Sequence, residues 1–140
     1  MFLDASAIVG ILNHEPDAQQ LKNKIDKAKS PFFYSSLCVY EATLAVARQK
    51  SVALKCKVTP ELIEGARQTV LVFIEALKAK EILVSSDIGQ NAIAVSGIYG
   101  KIIGHKAELN FGDCFAYACA KSQKVALLYK GNDFVYTDLA

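Results

Sequence analysis

The chain has 140 residues, a formal net charge of +2 and an apolar content of 52%. This length suits a single domain with a sizeable hydrophobic core, and the apolar content excludes an intrinsically disordered chain. No apolar run is long enough to span a bilayer and no basic leader precedes Phe2, so we expect a cytoplasmic protein without a membrane partner. The small positive charge permits a nucleic-acid partner but does not require one.

The first half of the chain predicts strands that alternate with helices. Its predicted elements are a strand at 1–3, a helix at 4–12, a helix beginning near Pro16, a strand at 32–36 and a helix at 37–50. In the second of these helices, Leu21 and Ile25 recur at helical spacing, and Pro16 suits a first-turn position. Ser36 is the predicted N-cap of the helix at 37–50, because its hydroxyl could accept a hydrogen bond from an unpaired N–H group.

The second half continues this alternation. Its predicted elements are a connector at 51–58, a helix from Pro60 to about Lys80, a strand at 81–86, a helix from Asp87 to about Gly100, a loop at 101–112, a helix at 113–121, a strand at 124–129 and a terminal strand or tail at 134–140. Thr59 and Asp87 are the predicted caps of the helices that begin beside them.

This order of elements predicts an α/β fold, in which one domain over 1–140 has helices on both faces of a mostly parallel sheet. Ligands of such sheets bind beyond the carboxyl ends of the strands. Asp4 directly follows the first strand, Glu41 lies in the first turns of the helix after the second, and Asp133 follows the last apolar strand. Asp113 begins a helix whose N-terminus could face the same edge. We therefore expect all four acids at one edge of the sheet.

Three of these acids are isolated in apolar sequence. Asp4, Glu41 and Asp113 are each the only charged residue in a stretch of eleven to thirteen residues. Burying an ionised carboxylate without a partner costs several kcal/mol or more, and the group otherwise takes up a proton. If the fold brings the three together, their mutual repulsion requires a cation. Ligands that are all oxygen suit Mg²⁺ or Mn²⁺ better than zinc or copper.

Each acid also has an ordinary structural explanation. Asp4 could cap the helix that begins at Ala5, and Asp113 could cap its own helix in the same way. Glu41 lies beyond the predicted N-cap, where a glutamate has little structural purpose, so a functional role is favoured there. Asp133 stands in an Asn-Asp turn, which is ordinary turn chemistry.

The other polar residues of interest receive supporting or structural roles. Ser6 is expected to donate a hydrogen bond to the Asp4 carboxylate or to a bound water, since no histidine base accompanies it for nucleophilic catalysis. Asp87 is interpreted as a helix cap and Asp138 as an exposed tail residue. The four cysteines form no CxxC pair and no zinc-type spacing, and we expect free thiols in a reducing compartment.

Two rival classes of function fit the sequence less well. No Walker-type or Rossmann-type glycine motif is present. An aspartate-nucleophile phosphohydrolase or phosphoreceiver, with Asp4 as nucleophile and Lys130 as phosphate partner, should carry a second acid beside the first, but Ala5-Ser6-Ala7 follows Asp4. A binding module without catalytic activity leaves the three isolated carboxylates unexplained.

Four segments together form a recognisable pattern: FLDASAIVGILNHEPDA, YSSLCVYEATLAVAR, LNFGDCFAYACAK and LLYKGNDFVYTDL. They resemble, in this order, the four acidic motifs of the PIN-domain ribonucleases, and within that family those of the VapC-type toxins of bacterial toxin–antitoxin systems. The similarity runs nearly from end to end. The LNFGD and KGNDF segments are the specific part of it, whereas DASA alone is a weak signal.

The resemblance implies that Asp4, Glu41 and Asp113 are acidic metal-site residues and that Asp133 is the fourth member. In many PIN domains the fourth acid lies two positions earlier, where this chain has Gly131; the similar toxins place it in the Asn-Asp-Phe triplet. The resemblance further implies a three-layer α/β/α sandwich, a homodimer, Mg²⁺-dependent cleavage of RNA with Mn²⁺ as a substitute, and inhibition by a cognate antitoxin. A PIN nuclease of RNA maturation is the nearest alternative.

Overall fold

Short parallel strands and longer helices alternate along residues 1–139, the part of the chain that the computed structural model describes. The elements are β1 (Phe2–Leu3), α1 (Ala5–Leu12), α2 (Ala18–Lys27), β2 (Phe33–Tyr34), α3 (Ser36–Ala53), α4 (Pro60–Ala76), β3 (Lys80–Glu81), α5 (Ser86–Tyr99), a 3₁₀ turn (Lys101–Ile103), α6 (Phe111–Ser122) and β4 (Leu127–Leu128).

The four strands form one parallel sheet in the order β3-β2-β1-β4. The central strand β1 pairs on both sides, with Phe2 opposite Phe33 of β2 and opposite Leu127 of β4. Every strand is followed by a helix or by the C-terminal segment, which is the connection that a parallel sheet requires. The predicted α/β fold with a parallel sheet is confirmed.

The core forms where β1 and β4 meet the apolar faces of the helices. Phe2, Leu3 and Leu128 are almost fully buried, and α6 packs directly on β1. Helix α1 contacts α2, α3 and α4, α3 packs on α4, α5 packs on α6, and α3 also contacts α6. That last contact brings the N-terminal halves of two helices together and positions the site described below. Within residues 1–139, no helix is both long and apolar enough to cross a bilayer.

Two predicted helix caps are wrong by one or two residues. Ser35, not Ser36, caps α3, because its extended backbone aims the hydroxyl at the N–H of Cys38. Ser85, not Asp87, caps α5 in the same way. At α3 the alternatives are adjacent serines, and at α5 they are a serine and an aspartate two residues later; in both cases the backbone conformation decides which one caps the helix. The predicted cap Thr59 is confirmed by its hydrogen bond from the N–H of Leu62.

Several predicted boundaries also differ from the structure. Helix α3 continues to Ala53 into the predicted connector, and α4 ends at Ala76 because Lys78 adopts a left-handed conformation with φ 51°. Helix α2 begins at Ala18, after Pro16 rather than around it. The third strand lies at 80–81 rather than 81–86, and the loop after α5 contains a 3₁₀ turn.

The C-terminal segment is a series of turns rather than the strand considered for 134–140, of which residue 140 lies outside the described residues. It is nevertheless anchored, since Phe134 is 1% exposed and its ring lies 5.0 Å from that of Tyr129 between centroids. Burial of one aromatic side chain therefore fixes the segment that carries Asp133.

Phe134→Ala should lower the free energy of unfolding by about 3–5 kcal/mol, the usual cost of removing a buried aromatic side chain. Val135→Ala, one residue further on and 45% exposed, is the matched control and should change it by no more than about 0.5 kcal/mol. Urea unfolding of both variants measures the difference. Equal stabilities for the two variants would show that the segment is not anchored through Phe134.

Candidate active site

Asp4 lies at the carboxyl end of β1 and is 5% exposed. It is the N-cap of α1: its Oδ2 accepts hydrogen bonds from the N–H of Ser6 at 2.9 Å and from the Ser6 hydroxyl at 2.5 Å. Its own N–H donates to the carbonyl of Leu128 in β4 at 3.0 Å. The side chain is therefore fixed by the helix and its backbone by the sheet, while the cap engages one carboxyl oxygen.

The sequence predicted that Asp113 begins its helix. It is instead the third residue of α6, because Asn110 is the N-cap. The two residues form a capping box: the Asn110 side chain accepts from the Asp113 N–H at 3.1 Å, and Asp113 Oδ2 accepts from the Asn110 N–H at 2.8 Å. Asp113 is 9% exposed. As at Asp4, capping engages one oxygen of a buried carboxylate.

Glu41 is half-buried on α3 and its carboxylate lies directly against the N-terminus of α6. The contact is with Gly112, where an added Cβ would lie only 2.7 Å from Glu41 Cδ. A glycine at this position therefore lets the Glu41 carboxylate reach the backbone beside Asp113. Gly112 has no role among the sequence-based predictions. Its position in the LNFGD segment, directly before Asp113, is the feature that could have indicated one.

Gly112→Ala should displace the Glu41 carboxylate without changing any charge. We expect the RNA cleavage proposed below to fall by about 10²-fold, the scale of a 1 Å misplacement of a reacting group. The free energy of unfolding should stay the same or rise by up to about 1 kcal/mol, since alanine is the better helix former and the carboxylate can move. Initial rates and urea unfolding measure the two effects.

Gly89→Ala is the matched control for that change. Gly89 also lies within a helix, but an added Cβ there would meet no atom within 4 Å. This variant should gain the same helix propensity and keep wild-type cleavage. Equal cleavage rates for Gly112→Ala and Gly89→Ala would show that the position of the Glu41 carboxylate does not matter for cleavage.

Asp133 is exposed and follows Gly131, whose φ of 89° turns the chain after β4. Its negative charge raises the pKa of both Asp4 and Asp113. Asp138 is not part of this group, because it accepts hydrogen bonds from the Tyr117 hydroxyl and the Lys121 ammonium. It is exposed, as expected from the sequence, and it is also held by these two contacts.

The pKa values show that these carboxylates interact. Burial, followed by the charges of Asp4 and Asp113, raises the pKa of Glu41 to about 7. Burial also raises the pKa of Asp113 to about 6. The hydrogen bond from the Asn110 N–H lowers this pKa, whereas the charges of Asp4 and Asp133 raise it further. The pKa of Asp4 is raised by burial, although hydrogen bonds from Ser6 and the N–H of Ala5 oppose the rise. Every charge named here is another carboxylate, so the acids repel one another without a compensating cation.

Neither cysteine near these acids has a role in this chemistry, since burial also raises the pKa of the thiol of Cys114, which directly follows Asp113. Cys38 lies one turn before Glu41 on α3, and burial together with the Asp4 charge raises the pKa of its thiol to about 12. The thiol is thus neutral at pH 7 and hydrogen-bonded with Ser35. Oxygen atoms are the remaining donors of the site.

The donor set suits a hard divalent cation, because it consists of carboxylates whose proximity is unfavourable until positive charge offsets it. Among residues 1–139, no three Asp, Glu, His or Cys side chains stand in a ready arrangement for holding an ion. Binding would therefore require side chains to turn inward, and the exposed Asp133 and the unbranched stem of Glu41 have that freedom.

Comparison with protein families and sequences gives consistent results over the whole chain. The model of the PIN domain matches residues 1–139. A VapC ribonuclease of Rhizobium meliloti is 45% identical over 139 residues, covering 99% of this chain and 98% of that relative. The ribonuclease VapC30 of Mycobacterium tuberculosis is 31% identical over 140 residues, covering 100% of this chain and 96% of its own length.

Solved structures match the fold. The crystal structure of Mycobacterium tuberculosis VapC20, described as a Sarcin-Ricin loop cleaving toxin, gives a TM-score of 0.70 at 14% identity, covering 96% of this chain and 92% of that one. A toxin–antitoxin complex from Klebsiella pneumoniae gives a TM-score of 0.64 at 14% identity, covering 99% of this chain and 92% of the matched chain. At this level of sequence identity, the similarity shows a shared fold only.

Proposed function

The chain belongs to the PIN-domain family, and on that premise we propose that it is a Mg²⁺-dependent endoribonuclease of the VapC type, the toxin of a toxin–antitoxin pair. The full-length relatives named as VapC ribonucleases support cleavage of RNA. The metal-dependent mechanism is supported by the contact of the Glu41 carboxylate with Gly112, the residue before Asp113, and by the burial and mutual repulsion that raise the pKa values of Glu41 and Asp113. A bound dication would offset that repulsion.

In this proposal the four acids have different roles. Asp4 and Asp113 would hold the principal Mg²⁺, for which Mn²⁺ could substitute, and Asp133 would complete the site directly or through water. Glu41 would hold a second ion or orient the water for in-line attack on the phosphorus. When bound, the metal lowers the pKa of a coordinated water and stabilises charge on the scissile phosphate. The caps of α1 and α6 keep one oxygen of each principal ligand fixed, so those two side chains need little reorganisation.

We also propose the partners that this type of protein implies. The chain would form a homodimer in the cytoplasm and be inhibited by a cognate antitoxin protein. Exposed apolar side chains on and after α5, including Ile93, Ile98 and Ile102, offer surface for such contacts. The long helix α4 instead directs Ala66, Val70 and Ile74 into the core.

The rival phosphotransfer function is weakened by Lys130. Its ammonium, which would have to neutralise a phosphoryl group, is paired with the carboxylate of Glu15. The alternative of RNA maturation concerns the biological role of the same active site, and the presence of an antitoxin gene directly upstream distinguishes the two.

The function is tested by incubating the purified protein with total RNA and mapping the new RNA ends. Discrete ends should appear with Mg²⁺ or Mn²⁺ and disappear with EDTA, because the acids alone supply no charge stabilisation at the phosphate. Ends that persist in EDTA would refute the metal-dependent mechanism, and no ends under any condition would refute the ribonuclease.

A further inference from the structure

A sheltered ion pair joins two distant parts of the chain beside Asp4. The ammonium of Lys130, just after β4, contacts the carboxylate of Glu15, which lies between α1 and α2. The two side chains are 31% and 29% exposed, compared with 45% and 56% for the pair of Arg67 with Glu64. Ion pairs are worth more where water screens them less. This pair is thus the better placed of the two to hold its segments together.

The backbone of Lys130 connects that ion pair to the first acid. Its N–H donates to the Ser6 hydroxyl at 3.0 Å, and the same hydroxyl donates to Asp4 Oδ2 at 2.5 Å. A continuous series of contacts therefore runs from Glu15 through Lys130 and Ser6 to Asp4. Because the hydroxyl hydrogen is directed to Asp4, the N–H of Lys130 meets the oxygen that remains as acceptor.

The pair also lies at the base of the turn that carries the fourth acid. Residues 131–133 are all exposed, and Gly131 has a left-handed φ of 89°. Fixing Lys130 therefore fixes the near end of this turn, as Phe134 fixes its far end. Between these two anchors lies Asp133.

Helix α1 is shaped to admit the pair. A Cβ added at Gly10 would lie 3.1 Å from Leu21 Cδ1, 3.3 Å from Lys130 Cδ and 3.9 Å from Glu15 Oε2, so the glycine leaves room for the pair as well as for Leu21. The backbone N–H of Glu15 donates to the Gly10 carbonyl at 3.0 Å, which holds the glutamate at the end of the helix. The contact is therefore supported from both sides and is not an incidental meeting of two long side chains.

We propose that Glu15 and Lys130 are positioning residues of the nuclease. Their ion pair holds the Lys130 N–H on Ser6, which keeps Asp4 and the turn bearing Asp133 in fixed relative positions. This inference rests on the proposed function for its catalytic consequence. Neither residue touches the reacting atoms, so loss of the pair should lower kcat by about 10–100-fold, the usual effect of removing a group that orients a metal ligand.

Glu15→Gln is the test, with Glu64→Gln as the matched control that breaks the more exposed ion pair on α4. We expect Glu15→Gln to lower kcat at least about 10-fold with KM unchanged, and the control to keep both. Lys130→Met should have the same effect, and the double variant should be no worse than either single one, because both remove one interaction. Lys130→Arg should restore most of the activity.

A phosphate-binding role for Lys130 gives a different result. Glu15→Gln would then release the ammonium for RNA, so KM would fall while kcat stayed at its wild-type value. That outcome, or wild-type kinetics in Glu15→Gln, overturns the positioning role.

Mn²⁺ affinity, measured by calorimetry without RNA, separates this inference from the function on which it rests. Glu15→Gln should bind Mn²⁺ about 10-fold more weakly than wild type. Wild type that binds Mn²⁺ but cleaves no RNA would refute the nuclease alone. Equal affinity in wild type and Glu15→Gln, or no binding by either, would overturn the positioning role.

Discussion

Asp113→Asn should abolish RNA cleavage while the metal-free protein keeps or gains stability. The substitution removes one charge from a group of mutually repelling carboxylates, so the folded state loses an unfavourable interaction. An asparagine side-chain oxygen can still accept the hydrogen bond from the Asn110 N–H, and the capping box of α6 can persist. The ligand charge for a cation is lost, and activity should fall to background.

Asp138→Asn is the matched control for this variant. Asp138 is also a carboxylate with hydrogen-bond partners, Tyr117 and Lys121, but it lies outside the acidic group. We expect full cleavage from it, together with a small loss of stability. The readouts are initial rates on a defined RNA and urea unfolding in EDTA. Full activity of Asp113→Asn, or its loss only through unfolding, would contradict the assignment.

The metal-free protein should become less stable as the pH rises from about 4 to about 7. Burial and neighbouring charge raise the pKa of Glu41 to about 7 and that of Asp113 to about 6. The folded state then binds more protons than the unfolded state in this interval, so unfolding becomes easier as those protons leave. The stabilising contribution is complete below the unfolded pKa values and is lost as the pH passes the folded ones.

Mg²⁺ should reverse this loss at pH 7.5 and have little effect near pH 4.5, where Glu41 and Asp113 are protonated in the folded state. Urea unfolding across this range, with EDTA or with Mg²⁺, measures both slopes. Glu41→Gln should flatten the metal-free slope, because its amide does not titrate. A metal-free stability that rises steadily from pH 4.5 to pH 7 would show that the acids are not crowded together.

The sequence predicted the parallel α/β fold from simple patterns. Asp4, Glu41 and Asp113 are conspicuous because apolar residues surround them, and the alternation of strands and helices predicts that they lie near one edge of the sheet. From the sequence, a helix cap and a metal-site residue are alternative explanations of Asp4 and of Asp113. The structure shows that a cap needs only one carboxyl oxygen, so the two roles are compatible.

The features that the sequence did not reveal depend on contacts between distant elements. The close approach of Glu41 to Gly112 arises from the packing of α3 on α6, and Glu15 meets Lys130 across 115 residues of sequence. Neither contact could be predicted from the hydrophobic periodicity or from the spacing of residues within one segment. The terminal segment, predicted as a strand or a tail, is likewise ordered by a distant contact, since Phe134 is buried although the segment forms no strand.

Anomalous diffraction from crystals grown with Mn²⁺ would show whether these acids hold a divalent cation. We expect a single strong peak, or a close pair, within coordination distance of Asp4 and Asp113, with Glu41 or Asp133 turned toward it. Crystals in which these side chains remain apart and manganese binds elsewhere or nowhere would contradict this expectation.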